Sequence, residues 1–252
     1  MRRRTLVHVL AIGALALGTA LPAKAGQTNV AVAANFTEAA KKIAQAFKAK
    51  TGNEAILSFG STGQLYTQIS QGAPFEVFLA ADDARPKKAV DEGLAVKGSQ
   101  FTYAIGKLVL WSRDPKFVQG AETLKSGKFE KIAIANPTAA PYGAAAVQAM
   151  KAEGVYDRLQ AKIVQGSNIS QTYQFVETGN AELGFVALSQ VANSQEGSRW
   201  VVPAELYDPI RQDAVLLTKG ANSEAATGFV EFLKGPEAAK IMESYGYGTG
   251  VS

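Results

Sequence analysis

The 252-residue chain has no cysteine and a single histidine, His8. Without cysteine it can form no disulfide, so the folded protein must be held together by its apolar core. With no histidine after residue 8, the rest of the chain cannot build a Ser-His-Asp or Cys-His catalytic group, and it lacks the usual zinc ligands. These absences exclude most hydrolase and zinc-enzyme classes.

Long apolar runs are also scarce, and the most prominent one lies at the N-terminus. Arginines at positions 2–4 precede an apolar stretch from Leu6 to about Ala20, and the small-x-small pattern Ala23-Lys24-Ala25 follows. This order is typical of a secretory signal peptide, so we expect residues 1–25 to be cleaved off before Gly26. A retained membrane anchor is disfavoured, because the run is shorter than the ~20 residues that a spanning helix needs.

The positive charge of the chain belongs to the same segment. Lys and Arg total 26 against 22 Asp and Glu, and positions 2–4 with Lys24 account for the whole excess. The remainder is therefore neutral overall. A nucleic-acid-binding protein needs a surviving basic excess or a basic cluster, so we expect no nucleic-acid partner.

Two strand-to-helix corners occur in the first third of the chain. One apolar run ends at Asn35 and another at Ser61, and Glu38 and Gln64 follow three residues later. Such spacing predicts capped helix N-termini. Helix N-termini offer free backbone N–H groups and a positive dipole end, which makes both corners candidate anion sites. Ordinary capping boxes with no ligand remain the alternative interpretation.

The order of patterns along the chain predicts an α/β fold with two lobes. Apolar β-type runs alternate with amphipathic helical patterns, which implies parallel sheets with right-handed crossovers. Two long β-like runs, 103–112 and 210–218, enclose a second alternating series. We therefore predict lobe 1 over 26–105 plus 211–252 and lobe 2 over 106–210, joined by a two-segment hinge.

Ligands of open parallel sheets bind beyond the carboxyl ends of the strands, which places the two corners in an interlobe cleft. Lobe 2 supplies its own corners, Asn136–Gly143 and Gly166–Ser170, after two of its predicted strands. Helix N-termini from both lobes would then surround one small anion.

Several segments, taken in order along the chain, are distinctive as a set. They are Ala33-Ala34-Asn35-Phe36-Thr37, Ser58-Phe59-Gly60-Ser61-Thr62-Gly63-Gln64-Leu65, Gly72 to Asp82, Pro141-Tyr142-Gly143, Leu183-Gly184-Phe185-Val186 and Phe232 to Ala239. Together they resemble the periplasmic molybdate-binding proteins. The resemblance implies a type II periplasmic-binding-protein fold and a monomeric periplasmic receptor. It also implies that molybdate or tungstate is delivered to the permease of an ABC transporter, with no enzyme activity and no cofactor.

The same resemblance implies which residues bind the oxyanion. They are Ala34 and Asn35 at the first corner, Ser61 and Thr62 at the second, Tyr142 in the Pro-x-Gly position, and Ile169 through its backbone N–H. Molybdenum would be held as the oxyanion through these residues, with no direct protein–metal ligand. Some family members have a ligand-contacting tyrosine where this chain has Ala187, and we expect Tyr142 to supply that phenolic donor instead.

The chemistry of molybdate agrees with these residue types. Molybdate is fully deprotonated at neutral pH, so its oxygens only accept hydrogen bonds, and its site needs donors without carboxylates. Two alternatives remain open. One is a receptor for sulfate or another tetrahedral oxyanion, and the other is an exported enzyme that uses Ser61 or Ser170 with a lysine base, although no Ser-x-x-Lys spacing accompanies either serine.

Overall fold

The computed structural model describes residues 25–248. The predicted signal peptide therefore lies outside the described residues except for Ala25. Within residues 25–248, no helix combines the length and the apolar character needed to cross a bilayer.

Ten strands are present in the described residues, and they form two separate five-stranded sheets. The strands are β1 (Gln27–Ala33), β2 (Glu54–Gly60), β3 (Val77–Leu79), β4 (Phe101–Gly106), β5 (Leu108–Ser112), β6 (Ile132–Ala135), β7 (Ile163–Gly166), β8 (Leu183–Ala187), β9 (Ser198–Val201) and β10 (Ile210–Leu216). Their order is β2-β1-β3-β10-β4 in the first sheet and β7-β6-β8-β5-β9 in the second. The two sheets confirm the predicted two-lobe α/β architecture.

Helices pack on both sheets. They are α1 (Thr37–Thr51), α2 (Thr62–Ser70), α3 (Ala84–Asp91), α4 (Ala121–Ser126), α5 (Pro141–Ala152), α6 (Tyr156–Leu159), α7 (Ile169–Glu177), α8 (Leu188–Val191), α9 (Glu224–Lys234) and α10 (Pro236–Ser244), with short 3-10 turns at Ala34–Phe36, Gln160–Lys162, Ala204–Leu206 and Thr218–Gly220. Helices α1 and α2 follow the corners predicted at Asn35 and Ser61, and α5 and α7 begin within the two corners predicted in lobe 2. The short elements α4, α6, α8 and β9 were not predicted, because four- to six-residue segments carry little periodicity.

The parallel pairing predicted from the strand–helix units is confirmed for those units, but each sheet also contains antiparallel pairs. Strand β1 runs parallel to β2 and β3, and β6 runs parallel to β7 and β8, as the strand–helix units require. In the first sheet, however, β10 is antiparallel to β3 and β4, and in the second β5 is antiparallel to β8 and β9. Both β5 and β10 arrive directly from the other lobe. No crossover helix precedes either strand to bring the chain back to the starting edge of the sheet, so each strand runs opposite to its neighbours.

The chain passes between the sheets at two places. A single residue, Lys107, separates β4 of the first sheet from β5 of the second, and the return runs between β9 and β10. The predicted continuous β run 103–112 is therefore two strands in different sheets. The residue boundaries given above for the two lobes stay a prediction.

Each sheet has its own apolar core, and one core reaches across the cleft. The core of lobe 2 is built on residues such as Leu110, Ile134 and Phe185, and it includes Ala34 and Ala81 from lobe 1. The two lobes are thus in van der Waals contact where the strands of both sheets end, which is the position predicted for the ligand.

Candidate functional site

All six residues predicted to bind the oxyanion line one cavity between the lobes. Five further residues complete its wall, namely Ala33, Gly60, Ala81, Ala140 and Pro141. The cavity has a volume of about 10 Å³, which is far below the ~300–1,000 Å³ of typical organic-ligand sites. The six predicted residues are all buried, with 1 to 5% of their surface exposed. Such a cavity suits an inorganic ion better than a larger metabolite.

The cavity lies where strands of both sheets end. Strands β1 and β2 deliver residues 34–35 and 61–62 from lobe 1, while β6 and β7 lead to Tyr142 and Ile169 in lobe 2. Helices α2, α5 and α7 all begin at this cavity. The first N–H groups of a helix have no partner within it and carry partial positive charge, so three helix N-termini from two lobes converge on one point.

Ser61 is the N-cap of α2, as its spacing from Gln64 predicted. Its Oγ accepts a hydrogen bond from the backbone N–H of Gln64 (3.4 Å), and the Gln64 side chain accepts one from the backbone N–H of Ser61 (3.4 Å). A hydroxyl has one proton and two lone pairs. Because Ser61 uses only a lone pair in the cap, its proton can be donated to an anion in the cavity. The capping role and the ligand-binding role are therefore compatible.

The hydroxyl of Thr62 also accepts a hydrogen bond from the protein and keeps its own proton free. Its Oγ1 accepts from the backbone N–H of Ala81 (3.0 Å), which fixes the hydroxyl oxygen at the cavity wall. The hydroxyl proton is left to donate, and the backbone N–H of Thr62 belongs to the first turn of α2. Thr62 thus offers a second pair of donors beside Ser61.

Tyr142 is held by the start of α5, where Pro141 occupies the first helical position. Its hydroxyl is buried and has no hydrogen-bond partner among the described residues. Burial raises the pKa of Tyr142 well above its usual value, and the nearby Tyr247 and Tyr103 act in the same direction. The phenol therefore keeps its proton at neutral pH and remains a donor.

The corner at Asn35 differs from the capping box that its sequence predicted. A 3-10 turn over Ala34–Phe36 precedes α1, whose N-cap is Phe36, and no side chain caps it. Instead, Nδ2 of Asn35 donates to Oε1 of Gln212 (2.6 Å) and to Oη of Tyr247 (3.0 Å). These two bonds use both amide protons. An anion would therefore meet the backbone N–H groups at the start of the turn.

Direct hydrogen bonds join the lobes around the cavity. The backbone N–H of Gly63 donates to the carbonyl oxygen of Ala139 (2.9 Å), and Arg85 Nη2 donates to the carbonyl oxygen of Thr138 (2.8 Å). On another side, Ser189 Oγ donates to the carbonyl oxygen of Asn35 (2.8 Å). The cavity is consequently closed off by contacts between the lobes.

The side chains around the cavity carry no formal charge. Among its described lining residues there is no lysine, histidine, aspartate or glutamate. A serine nucleophile at Ser61 would therefore have no basic side chain beside it in the cavity wall, which argues against the enzyme alternative. A fully deprotonated oxyanion requires a site that supplies hydrogen-bond donors and has no acceptor or basic side chain.

A comparison with protein-family models matches residues 28–248 to the bacterial extracellular solute-binding proteins. The chain belongs to this family. Two relatives are both named molybdate-binding protein ModA. The one from Rhodobacter capsulatus is 57% identical over 94% of each chain, and the one from Azotobacter vinelandii is 55% identical over 95% of this chain and 96% of the relative. The solved structure of the periplasmic molybdate-binding protein of Azotobacter vinelandii superposes with a TM-score of 0.85 and 40% identity over 88% of this chain and 98% of that one.

Three residues of this solute-binding protein were missed by the sequence patterns although they support the cavity. Gln212, Tyr247 and Ser189 form a buried hydrogen-bonded group behind Asn35, in which Tyr247 Oη also contacts Ser189 Oγ (2.9 Å). They come from β10, the C-terminal segment and α8. No local spacing relates them to one another. Gln212 lies between Arg211 and Asp213 on β10, so nothing in the local sequence distinguished it.

Proposed function

We propose that this protein is the periplasmic receptor of an ABC importer and that it captures molybdate between its lobes. In this proposal, residues 1–25 are removed on export, and the monomeric protein delivers molybdate to the membrane permease without chemical change. Tungstate binds in the same way because it has the same charge and shape. The ligand contacts are those of Ala34, Asn35, Ser61, Thr62, Tyr142 and Ile169.

One observation carries the proposal, namely the small buried cavity whose polar groups can donate hydrogen bonds and whose described lining residues include no carboxylate. Hydroxyls of Ser61, Thr62 and Tyr142 and the first N–H groups of three helices can surround the four oxygens of a tetrahedral dianion. In a site closed to water, each charge-assisted hydrogen bond is stronger than at the surface. The similarity to the molybdate-binding proteins supports molybdate as the ligand.

Molybdate and tungstate should raise the melting temperature of the mature protein more than any other oxyanion at the same concentration. A ligand that binds only the folded state at 100 times its dissociation constant adds ~2.7 kcal/mol to the free energy of unfolding. A thermal-shift panel of molybdate, tungstate, sulfate and phosphate at equal ionic strength measures this directly. Equal stabilisation by sulfate would contradict the choice of molybdate, and no shift with any of the four would contradict the receptor function.

The radius of gyration should decrease when molybdate saturates the protein. Lobe 1 supplies Ser61 and lobe 2 supplies Tyr142, so only an arrangement with the lobes together gives the anion its full set of donors. The ligand therefore favours the closed arrangement by its differential affinity. Small-angle scattering with and without molybdate tests this, with sodium chloride at matched ionic strength as the control. Superimposable profiles would show that binding does not depend on closure.

A further inference from the structure

Arg85 on α3 joins the two lobes beside the cavity, although it is not one of the residues that line it. Its Nη2 donates to the carbonyl oxygen of Thr138 in lobe 2 (2.8 Å), and its Nη1 donates to Oδ2 of Asp82 in its own lobe. The backbone N–H of Arg85 also donates to Oδ1 of Asp82 (2.9 Å). Asp82 therefore holds the planar guanidinium in place and leaves its other edge free to reach across the cleft.

A backbone hydrogen bond between the lobes lies next to that of Arg85. Gly63 is the second residue of α2, and its N–H donates to the carbonyl oxygen of Ala139 (2.9 Å), the residue after Thr138. A Cβ at position 63 would lie 3.1 Å from the α-carbon of Ala139 and 3.2 Å from Arg85 Nη2. Glycine thus allows this close approach of two backbones. We call the bonds from Arg85 to Thr138 and from Gly63 to Ala139 the interlobe clasp.

The clasp holds a segment of lobe 2 that leads directly to the ligand site. Residues 136–140 connect β6 to α5, and Tyr142 follows in the first turn of that helix. Asn136 braces the segment. Its Oδ1 accepts from the backbone N–H (3.0 Å) and the hydroxyl (2.8 Å) of Thr138, and its carbonyl oxygen accepts from the N–H of Ala140 (2.8 Å). Because the segment is braced as a unit, a bond to Thr138 also fixes the start of α5.

We propose that Arg85 is a positioning residue that controls release of the ligand, because its bond to Thr138 holds the lobes together without contact to the anion. The six residues proposed to bind the ligand are buried in a cavity between the lobes. An anion can therefore leave only when the lobes separate, which breaks the clasp. A hydrogen bond from a charged donor is among the stronger ones, so the clasp slows this separation. The inference rests on the proposed receptor function and deepens it.

Loss of the clasp should differ in its effect from loss of a ligand contact. The clasp joins protein to protein, so its loss destabilises the closed arrangement by the same factor whichever anion is inside. The rate of release should therefore rise equally for molybdate and tungstate, and the ratio of their affinities should stay the same. The association rate should change little, because the clasp forms only after the anion has entered.

The release rate of radiolabelled molybdate and tungstate from Arg85→Met, chased with excess unlabelled anion, tests the proposal. Methionine keeps an unbranched apolar stem but has no donor. We expect release of both anions to be roughly tenfold faster, in line with the loss of one hydrogen bond from a charged group. Arg85→Lys should recover part of this loss, since an ammonium group can still donate to the carbonyl oxygen of Thr138. Unchanged release in Arg85→Met would overturn the proposal.

Arg158→Met is the matched control for Arg85→Met. Nη2 of Arg158 donates to the carbonyl oxygens of Leu124 (3.3 Å) and Lys125 (2.7 Å), which lie in the same lobe. The control thus loses an arginine that binds backbone carbonyls, but it loses no bond between the lobes. It should release molybdate at the rate of the parent protein. Equal acceleration in the two variants would overturn the proposal, because the effect would not depend on the clasp.

Gly63→Ala tests the second bond of the clasp. The added methyl group would contact the backbone of Ala139 only when the lobes are together, and alanine is the better helix former for α2 itself. We therefore expect faster release of molybdate without a lower melting temperature of the ligand-free protein. Unchanged or slower release would contradict the close approach on which the clasp depends.

Spin labels test the clasp without any ligand. The chain has no cysteine, so labels attach only where cysteine is introduced. Lys87→Cys and Lys151→Cys place them at exposed positions on α3, which carries Arg85, and on α5, which follows the braced segment. Electron paramagnetic resonance should show longer distances between the labels when Arg85→Met is added. Identical distance distributions would overturn the proposal. If the parent protein bound neither anion, the receptor function would fail, whereas the distances would still decide whether the clasp holds the lobes together.

Discussion

Replacing Ser61 with alanine should weaken molybdate binding by roughly ten- to a hundredfold. The hydroxyl of Ser61 uses a lone pair to cap α2 and has its proton available for the anion, so the substitution removes one donor to a buried dianion. The lost bond corresponds to ~1.5–3 kcal/mol of binding free energy. Isothermal titration calorimetry of the variant and the parent protein measures the change.

Ser223→Ala is the matched control for the Ser61 experiment. Ser223 caps α9 by accepting from the backbone N–H of Ala226 (3.2 Å), and it is not one of the residues lining the cavity. Both substitutions should lower the free energy of unfolding by ~1 kcal/mol through loss of a cap. Only Ser61→Ala should change the affinity. Equal molybdate affinities in the two variants would remove Ser61 from the binding site.

Gly143→Ala should be the most destabilising single-methyl substitution near the site. A Cβ at position 143 would lie 2.1 Å from the carbonyl oxygen of Ala135 at the end of β6. Because the obstacle is backbone, α5 would have to move away from the sheet, and we expect a loss of about 3 kcal/mol in the free energy of unfolding. The displacement would also shift Tyr142, so molybdate affinity should fall as well. Chemical denaturation and calorimetry report the two effects.

Gly228→Ala is the matched control for Gly143→Ala, because it also adds one methyl group inside a helix but should not destabilise the protein. Gly228 lies inside α9, and a Cβ there would make only ordinary contacts with Phe47 at 3.8 and 3.9 Å. Alanine is the better helix former by up to ~1 kcal/mol, so this variant should be as stable as the parent protein or more so. If Gly143→Ala unfolded at the same denaturant concentration as Gly228→Ala, the close packing of α5 on β6 would be wrong.

The sequence was informative wherever structure depends on local spacing. Ser61 and Gln64 predicted the start of α2 because a capping box is complete within four residues. The positions of Tyr142 and Ile169 in the cavity also follow from local features, since each lies in the first turn of a helix that comes after a strand of the second sheet. Parallel strands bring such first turns to the same edge.

Contacts between distant parts of the chain could not be predicted in this way. The side chain of Asn35 binds Gln212, 177 residues further on, and Tyr247 is 212 residues away. The spacing of Asn35 from Glu38 suggested a capping box, but these distant partners compete for the same amide. Similarly, the run 103–112 is apolar and β-like throughout, so nothing local shows that the chain changes sheets at Lys107.

The position of β10 in the first sheet links ligand binding to completion of the chain. All six residues proposed to bind the ligand precede residue 170, yet β10 lies between β3 and β4 and is the strand that joins them. A chain that ends before Ile210 would contain every ligand-binding residue but would lack the strand on which the lobe 1 sheet depends. Gln212, which supports Asn35 from behind, would be missing as well. Incomplete translation products or fragments truncated before β10 would therefore be unable to sequester the anion.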